Sequence, residues 1–180
     1  MLKKMRGFTL IELLIVVAII GILAALLIPN ALSAIQKAKQ KGTMKDINSI
    51  STAMVDFITD NGTAPVHSGE INPSDTLYTA LSGFYLKVLP QNDQWGSPFL
   101  VYGQSAAVMG SGYGITESAD DEFVVASRGR DKIDTAFAFD PMNPTTVYFP
   151  ITGLVSFNQD LVNWSGSWIH APKSAQLSNT

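Results

Sequence analysis

The sequence predicts an α+β fold: one long N-terminal helix whose second half lies on a small antiparallel β-sheet. Three observations carry this. An apolar run of 21 residues, Phe8 to Ile28, stands near the start of the chain. From Ala31 to Ile58, apolar residues then recur at three- and four-residue spacing. Past Gly62 the pattern becomes short β-branched and aromatic runs cut by glycine and proline. A helix followed by a series of strands is the α+β order.

The elements follow in order. Met1 to Gly7 carries Lys3, Lys4 and Arg6. The apolar run that follows reaches about 30 Å as a helix, one hydrocarbon thickness of membrane. Three readings compete for it. A secretory signal peptide would have a shorter apolar region and a small-residue cleavage site after it, which Ile28-Pro29-Asn30 does not provide. A simple anchor fits the length but not Glu12, a carboxylate inside the run that costs about 2.5–3.5 kcal/mol to insert and so calls for a partner. The third reading is a signal cut ahead of the apolar run, which leaves the run in the mature chain. Pro29 removes one helical hydrogen bond and is expected to kink or loosen the helix. Beyond it Leu32, Ile35, Ile47, Ile50, Met54 and Phe57 share a face, and Lys37, Lys41, Lys45 and Asp56 take the others. Asn61-Gly62 supplies a left-handed stop, and Gly42 is a place where the helix can flex.

From Gly62 on, Pro65, Gly69 and Pro73 mark a loop, and Ser74–Leu81 reads as a short capped helix. Strands are expected at Phe99–Tyr102, Tyr113–Thr116, Phe123–Arg128 and Thr146–Phe149. Ala171–Thr180 reads as a polar, frayed tail. With 180 residues the chain suits one globular domain. It divides into 1–7, a membrane helix 8–29, an amphipathic helix 30–61, a globular α+β head 62–170 and the tail 171–180.

Composition excludes several function classes. From Gly62 to Thr180 there are 5 Lys and Arg against 11 Asp and Glu, a balance of −6. Such a head has no electrostatic reason to bind nucleic acid. The absence of cysteine rules out disulfides, thiolate catalysis and thiolate-bound zinc. Gly110-Ser111-Gly112-Tyr113-Gly114 lacks the Lys-Ser/Thr of a phosphate loop, and no Gly-x-Ser-x-Gly occurs. Nothing here reads as an enzyme. Asp120-Asp121-Glu122 reads as a solvated acidic turn, His67 and His170 as isolated exposed side chains, and Trp164 and Trp168 as packing residues.

The stretch Lys3-Lys4-Met5-Arg6-Gly7-Phe8-Thr9-Leu10-Ile11-Glu12-Leu13-Leu14-Ile15 and the apolar run after it closely resemble the N-terminus of type IV pilins and pseudopilins. The resemblance implies the pilin fold and cleavage between Gly7 and Phe8 by a prepilin peptidase on the cytoplasmic side. Met1–Gly7 would then be the leader, and the new terminus at Phe8 would be N-methylated. It also implies that Glu12 pairs with the free amine of Phe8 in a neighbouring subunit, and that the helix loosens at Pro29 on assembly. Basic residues flank the run on both sides, so orientation rests on the resemblance: a single pass through the inner membrane, with the C-terminal domain in the periplasm. The partners it implies are identical or related pilin-like subunits, the peptidase and an inner-membrane assembly platform.

A second resemblance covers the head. Asp60-Asn61-Gly62-Thr63-Ala64-Pro65, then Asp93-Gln94-Trp95-Gly96-Ser97-Pro98-Phe99, Phe123 to Asp131, and Asp160-Leu161-Val162-Asn163-Trp164 are similar in order to the major pseudopilin of type II secretion systems. Two departures stand out: Ala64 replaces an aromatic residue, and Lys132–Phe157 is a longer insertion. That family holds calcium after the strand ending near Arg128. The resemblance implies oxygen ligands from Ser127, Asp131, Asp134, Asn158 or Asp160. The expected function is a structural subunit of a periplasmic secretion filament. A pilin or minor pilin of a surface pilus, serving adhesion, twitching or DNA uptake, is the alternative. A membrane-tethered binding module that never polymerises is a third reading, and Glu12 argues against it.

Overall fold

The computed structural model of the chain describes residues 7–104, 112–115, 118–135, 137–140, 142–143 and 148–173. They fall into two compact units, one ending at Gln36 and one beginning at Lys37. A single helix, α1 (Leu10–Asn61), contributes to both. In the first unit α1 continues through Pro29, where the Asn30 side-chain amide donates to the Leu26 carbonyl at 3.5 Å. Almost every side chain from Leu10 to Ile28 is exposed.

In the second unit α1 buries Gln40, Thr43, Ile47, Ile50, Ser51, Ala53 and Met54, the stripe that three- and four-residue spacing produces. The helix stops where expected, with Gly62 at φ 80° and its amide donating to the Ile58 carbonyl at 2.7 Å. A short helix, α2 (Thr76–Leu81), adds Leu77 and Leu81 to the core. The strands are β1 (His67–Glu70), β2 (Leu100–Gly103), β3 (Phe123–Ser127), β4 (Tyr148–Phe149), β5 (Leu161–Trp164) and β6 (Ser167–Pro172), with a 3₁₀ turn at Leu154–Asn158 between β4 and β5. They form one sheet in the order β1-β2-β3-β5-β6-β4.

Side chains of successive strand residues point to opposite faces, and here both faces are buried. Val101, Phe123, Val125 and Leu161 join Ile47, Ile50, Met54 and Phe99 in one cluster. Leu100, Val124, Ala126 and Val162 form the other with Tyr113, Ile115 and Ile169, and Phe137 and Phe139 pack against it.

Four expectations are corrected. The sheet is mixed rather than antiparallel, because β4 runs parallel to β6. These two strands are joined through β5 rather than by a hairpin, so nothing forces them to run in opposite directions. Tyr113–Ile115 is not a strand; it is a helical turn and loop that covers the outer sheet face, and Thr116 lies outside the described residues. His67–Glu70, expected as loop, is an edge strand paired with Leu100–Gly103. Ala171 and Pro172, expected in the tail, belong to β6. The insertion after Lys132 also has a structural role. It supplies Phe137 and Phe139 to the outer cluster and Phe149 to the edge.

Candidate functional site

Two places concentrate the chemistry read from the sequence. The first is the start of α1. Gly7 has no neighbour within 4 Å of a β-carbon position among the described residues, and Phe8 is 78% exposed. Thr9 precedes the first helical residue, Leu10, and Glu12 stands three residues further on. The Glu12 Oε2 atom accepts from the Thr9 backbone amide at 2.9 Å and from its hydroxyl at 2.6 Å. The Glu12 amide donates back to the Thr9 hydroxyl at 3.3 Å. This is a reciprocal capping box, which satisfies helix-end amides that have no partner within the helix. The Thr-x-x-Glu spacing announces it in the sequence, and sequence reasoning missed it. Within one subunit, then, the carboxylate of the apolar run closes on its own helix end. The apolar surface that follows is far larger than a soluble monomer leaves exposed. α1 is also the only helix among the described residues long and apolar enough to cross a membrane.

The second place is the loop side of β3 and β5. Asp93, buried, organises the turn at Asp93-Gln94-Trp95-Gly96. Its Oδ1 accepts from the Trp95 and Ser97 amides at 2.9 Å each. Its Oδ2 accepts from the Ser127 hydroxyl at 2.7 Å. Gln94 then fastens the turn to α1. Its amide donates to the Thr43 hydroxyl at 3.2 Å and its side-chain amide to Asp46 at 2.9 Å. Gly42 lies against the Gln94 side chain, where a β-carbon would sit 2.9 Å from its Cγ. That makes Gly42 a point of close approach between α1 and the turn.

The five expected calcium ligands are distributed as follows. Ser127 is committed to Asp93. Asp134 pairs with Arg128 at 2.7 Å, and Arg128 also reaches Glu70 at 2.6 Å. Asn158 Oδ1 accepts from Arg130 at 3.0 Å. Asp131 Oδ1 accepts from the Ile133 amide at 3.2 Å. Asp160 is fully buried. Its Oδ2 accepts from the Thr135 amide at 3.0 Å, and its Oδ1 has no hydrogen-bond partner among the described residues. Burial pushes its carboxyl up to about 7, with Asp134 and Asp131 adding repulsion. Among the described residues no three His, Asp or Glu side chains converge as a metal cluster. Of the five, Asp160 fits a hard cation: it is buried, carries an orphaned oxygen and feels acidic neighbours. All five have protein partners, and what sets Asp160 apart is its buried Oδ1, which has none among the described residues.

The histidines are not the exposed side chains the sequence suggested. His170 is buried in β6, its ring Nδ1 2.7 Å from the Asp160 carbonyl and its ring stacked on Phe137 at 4.5 Å. Burial lowers its pKa. The His67 side chain is mostly buried in β1. Trp164 and Trp168 pack against the outer and inner clusters respectively. Asp120 and Asp121 are exposed in a turn, as expected. Asn163, on β5, accepts from Ser51 on α1 at 3.0 Å and from the Gly166 amide at 3.0 Å, so it ties helix to sheet.

Comparison with known proteins bears on the first place directly. Residues 2–28 match the prokaryotic N-terminal methylation motif family. The type II secretion system core protein G of Aeromonas hydrophila is 34% identical over 104 residues, covering 54% of this chain and 72% of that protein. Its namesake in Vibrio cholerae is 36% identical over 109 residues, covering 54% and 73%. The Klebsiella pneumoniae protein is 30% identical over 134 residues, covering 67% of this chain and 94% of its own length. No solved structure matches the chain. An N-terminal methylation motif heading a long apolar helix, and relatives matched over more than two thirds of their length, lead to one family: this chain belongs to the type II secretion system core protein G family.

Proposed function

We propose that this protein is a structural subunit of a type II secretion pseudopilus. In this reading it is anchored in the inner membrane by the first part of α1, cut by a prepilin peptidase between Gly7 and Phe8, and methylated at Phe8. It then polymerises with pilin-like subunits on an inner-membrane platform into a periplasmic filament that drives secretion. One observation carries the reading. The motif Gly7-Phe8-Thr9-Leu10-Ile11-Glu12 opens a 52-residue helix whose first part is apolar and exposed among the described residues. The relatives named above favour secretion over a surface pilus.

Cleavage after Gly7 leaves an amine at Phe8, next to the Thr9–Glu12 box. In a filament Glu12 exchanges or shares that box with the amine of a neighbouring subunit. An ion pair in apolar surroundings is strong, and removing one partner strands the other charge. Glu12 thereby sets register as well as adhesion, and Pro29 marks where the helix yields on assembly. In the head, Asp160 is the residue of the expected set that would hold calcium. When bound, it supplies the cross-link that a cysteine-free exported domain otherwise lacks.

The test is a gene deletion compared with its parent, complemented with wild type or Glu12→Ala. The expected result is that specific exoproteins collect in the periplasm and only wild type restores export. Untouched export with lost surface fibres would overturn the reading in favour of a pilus.

A further inference from the structure

A groove of about 870 Å³ runs along the second unit's part of α1. Lys37, Gln40, Lys41 and Lys45 line it from the helix, and Lys173 and Ile151 face them from the sheet side. Among the described residues no acidic side chain lines it. The four ammonium groups are exposed, and none has an ion-pair partner among the described residues. Gln40 is only 2% exposed, yet its side-chain Nε2 donor has no hydrogen-bond partner among the described residues. A buried donor without an acceptor costs free energy, and four clustered cations repel one another. Both costs are relieved by an anionic acceptor-rich occupant.

The same chain offers such a surface. Ala119–Glu122 is a turn closed by the Glu122 amide on the Ala119 carbonyl at 3.1 Å and by the Glu122 carboxylate accepting from the Ala119 amide at 2.9 Å. That leaves Asp120 and Asp121 exposed on a preorganised turn. The Asp120 carbonyl accepts from the Ala64 amide at 2.8 Å, which fixes the turn beside the C-terminal end of α1. The helix lysines of the groove, Lys37 to Lys45, lie 24 to 16 residues before that end at Asn61, about 36 to 24 Å along the helix. One copy cannot bring these two surfaces together, but two copies stacked end to end can. A contact between two different patches of one chain is heterologous, and it repeats without closing, as a filament requires.

We propose that the lysine-lined groove is the docking site for the Asp120–Asp121 turn of a second copy of this chain, packed head to tail. The proposal rests on the filament reading above. Because the chain has no cysteine, engineered thiols report cleanly. Lys41→Cys is combined with Asp121→Cys in one chain, filaments are assembled, and a short thiol-reactive crosslinker is applied. A crosslinker is needed because an ion pair holds its backbones farther apart than the roughly 7 Å limit of a disulfide. The expected product is a ladder of dimers, trimers and higher species. Lys41→Cys with Lys87→Cys, an exposed site outside the turn, should give none. In parallel, Lys41→Asp with Lys45→Asp, or Asp120→Lys with Asp121→Lys, should each lower filament yield about tenfold. The combined reversal should restore it, which misfolding would not do, and N-terminal cleavage should stay at the wild-type level throughout. Filaments that assemble normally without a ladder, or combined reversals that fail to rescue, overturn the docking and leave the filament reading intact. A parent chain that forms no filaments overturns both.

Discussion

Residues 10–36 and 37–61 belong to one helix, yet they solve opposite problems. The first stretch presents apolar side chains on every face and buries almost none of them. The second buries a single stripe against the sheet and leaves lysines on its outer faces. A helix that is apolar all round needs a surrounding phase, and one with a stripe needs a single partner surface. The first stretch stays exposed among the described residues, and in the proposed function lipid and other subunits cover it; the second packs within its own unit. Mutations should separate the two cleanly.

The largest effect should come from Glu12→Ala. In the proposed filament it strands one amine per contact in apolar surroundings, and incorporation should fall by more than about a hundredfold. Insertion and cleavage should persist, and melting of the detergent-solubilised head should stay within about 0.5 kcal/mol of wild type. A large drop in melting would break the separation.

Asp93→Ala should do the reverse. It removes an acceptor shared by two amides and a hydroxyl, one of them the fully buried Ser127. Unsatisfied buried donors cost about 1–3 kcal/mol each before relaxation, so a net loss of about 3 kcal/mol in urea melts is expected. Peptidase cleavage of whatever protein is inserted should proceed at the wild-type rate.

The same contrast explains what could be read from the sequence. The N-terminal segment is legible because its chemistry is local: a glycine, a short motif and one charge in an apolar run. The Thr9–Glu12 box was equally local and was overlooked, although its spacing states it. In the head, β2 and β3 were legible from their β-branched runs, and the stop at Gly62 from its residue type. The edge strand His67–Glu70 was not, because His-Ser-Gly-Glu has no strand propensity and is held there by pairing with β2. β5 and β6 could have been found. Ser165-Gly166 between them is a turn dipeptide, and both residues have the positive φ, 47° and 86°, that a tight hairpin requires. Tyr113–Ile115 misled for the opposite reason: its apolar residues were real, but they cover a sheet rather than extend one.

The calcium proposal sharpens the comparison within the head. Added calcium should raise the melting temperature of wild type, by about 2.7 kcal/mol of stabilisation at a hundredfold excess over its dissociation constant. Asp160→Asn should abolish that response. In chelator the variant should be at least as stable as wild type at pH 8, because burial already disfavours the ionised carboxyl of Asp160. A variant that still responds to calcium would place the ligands elsewhere.

The smallest effect should come from Ser51→Ala, at the seam between α1 and β5. The Ser51 hydroxyl donates to Asn163 Oδ1 at 3.0 Å, and both residues are buried. Losing the donor does not orphan the acceptor, because the Gly166 amide still donates to the same oxygen at 3.0 Å. The expected loss is therefore one net hydrogen bond, about 1 kcal/mol. Asn163→Ala removes that acceptor from both donors and leaves a cavity, so it should cost about 2–3 kcal/mol. A double-mutant cycle of the two substitutions measures the seam directly. Coupling near 1 kcal/mol makes the hydrogen bond a fastening between helix and sheet. Coupling near zero would mean that apolar packing alone, through Ile47, Ile50 and Met54, holds this half of the helix in place.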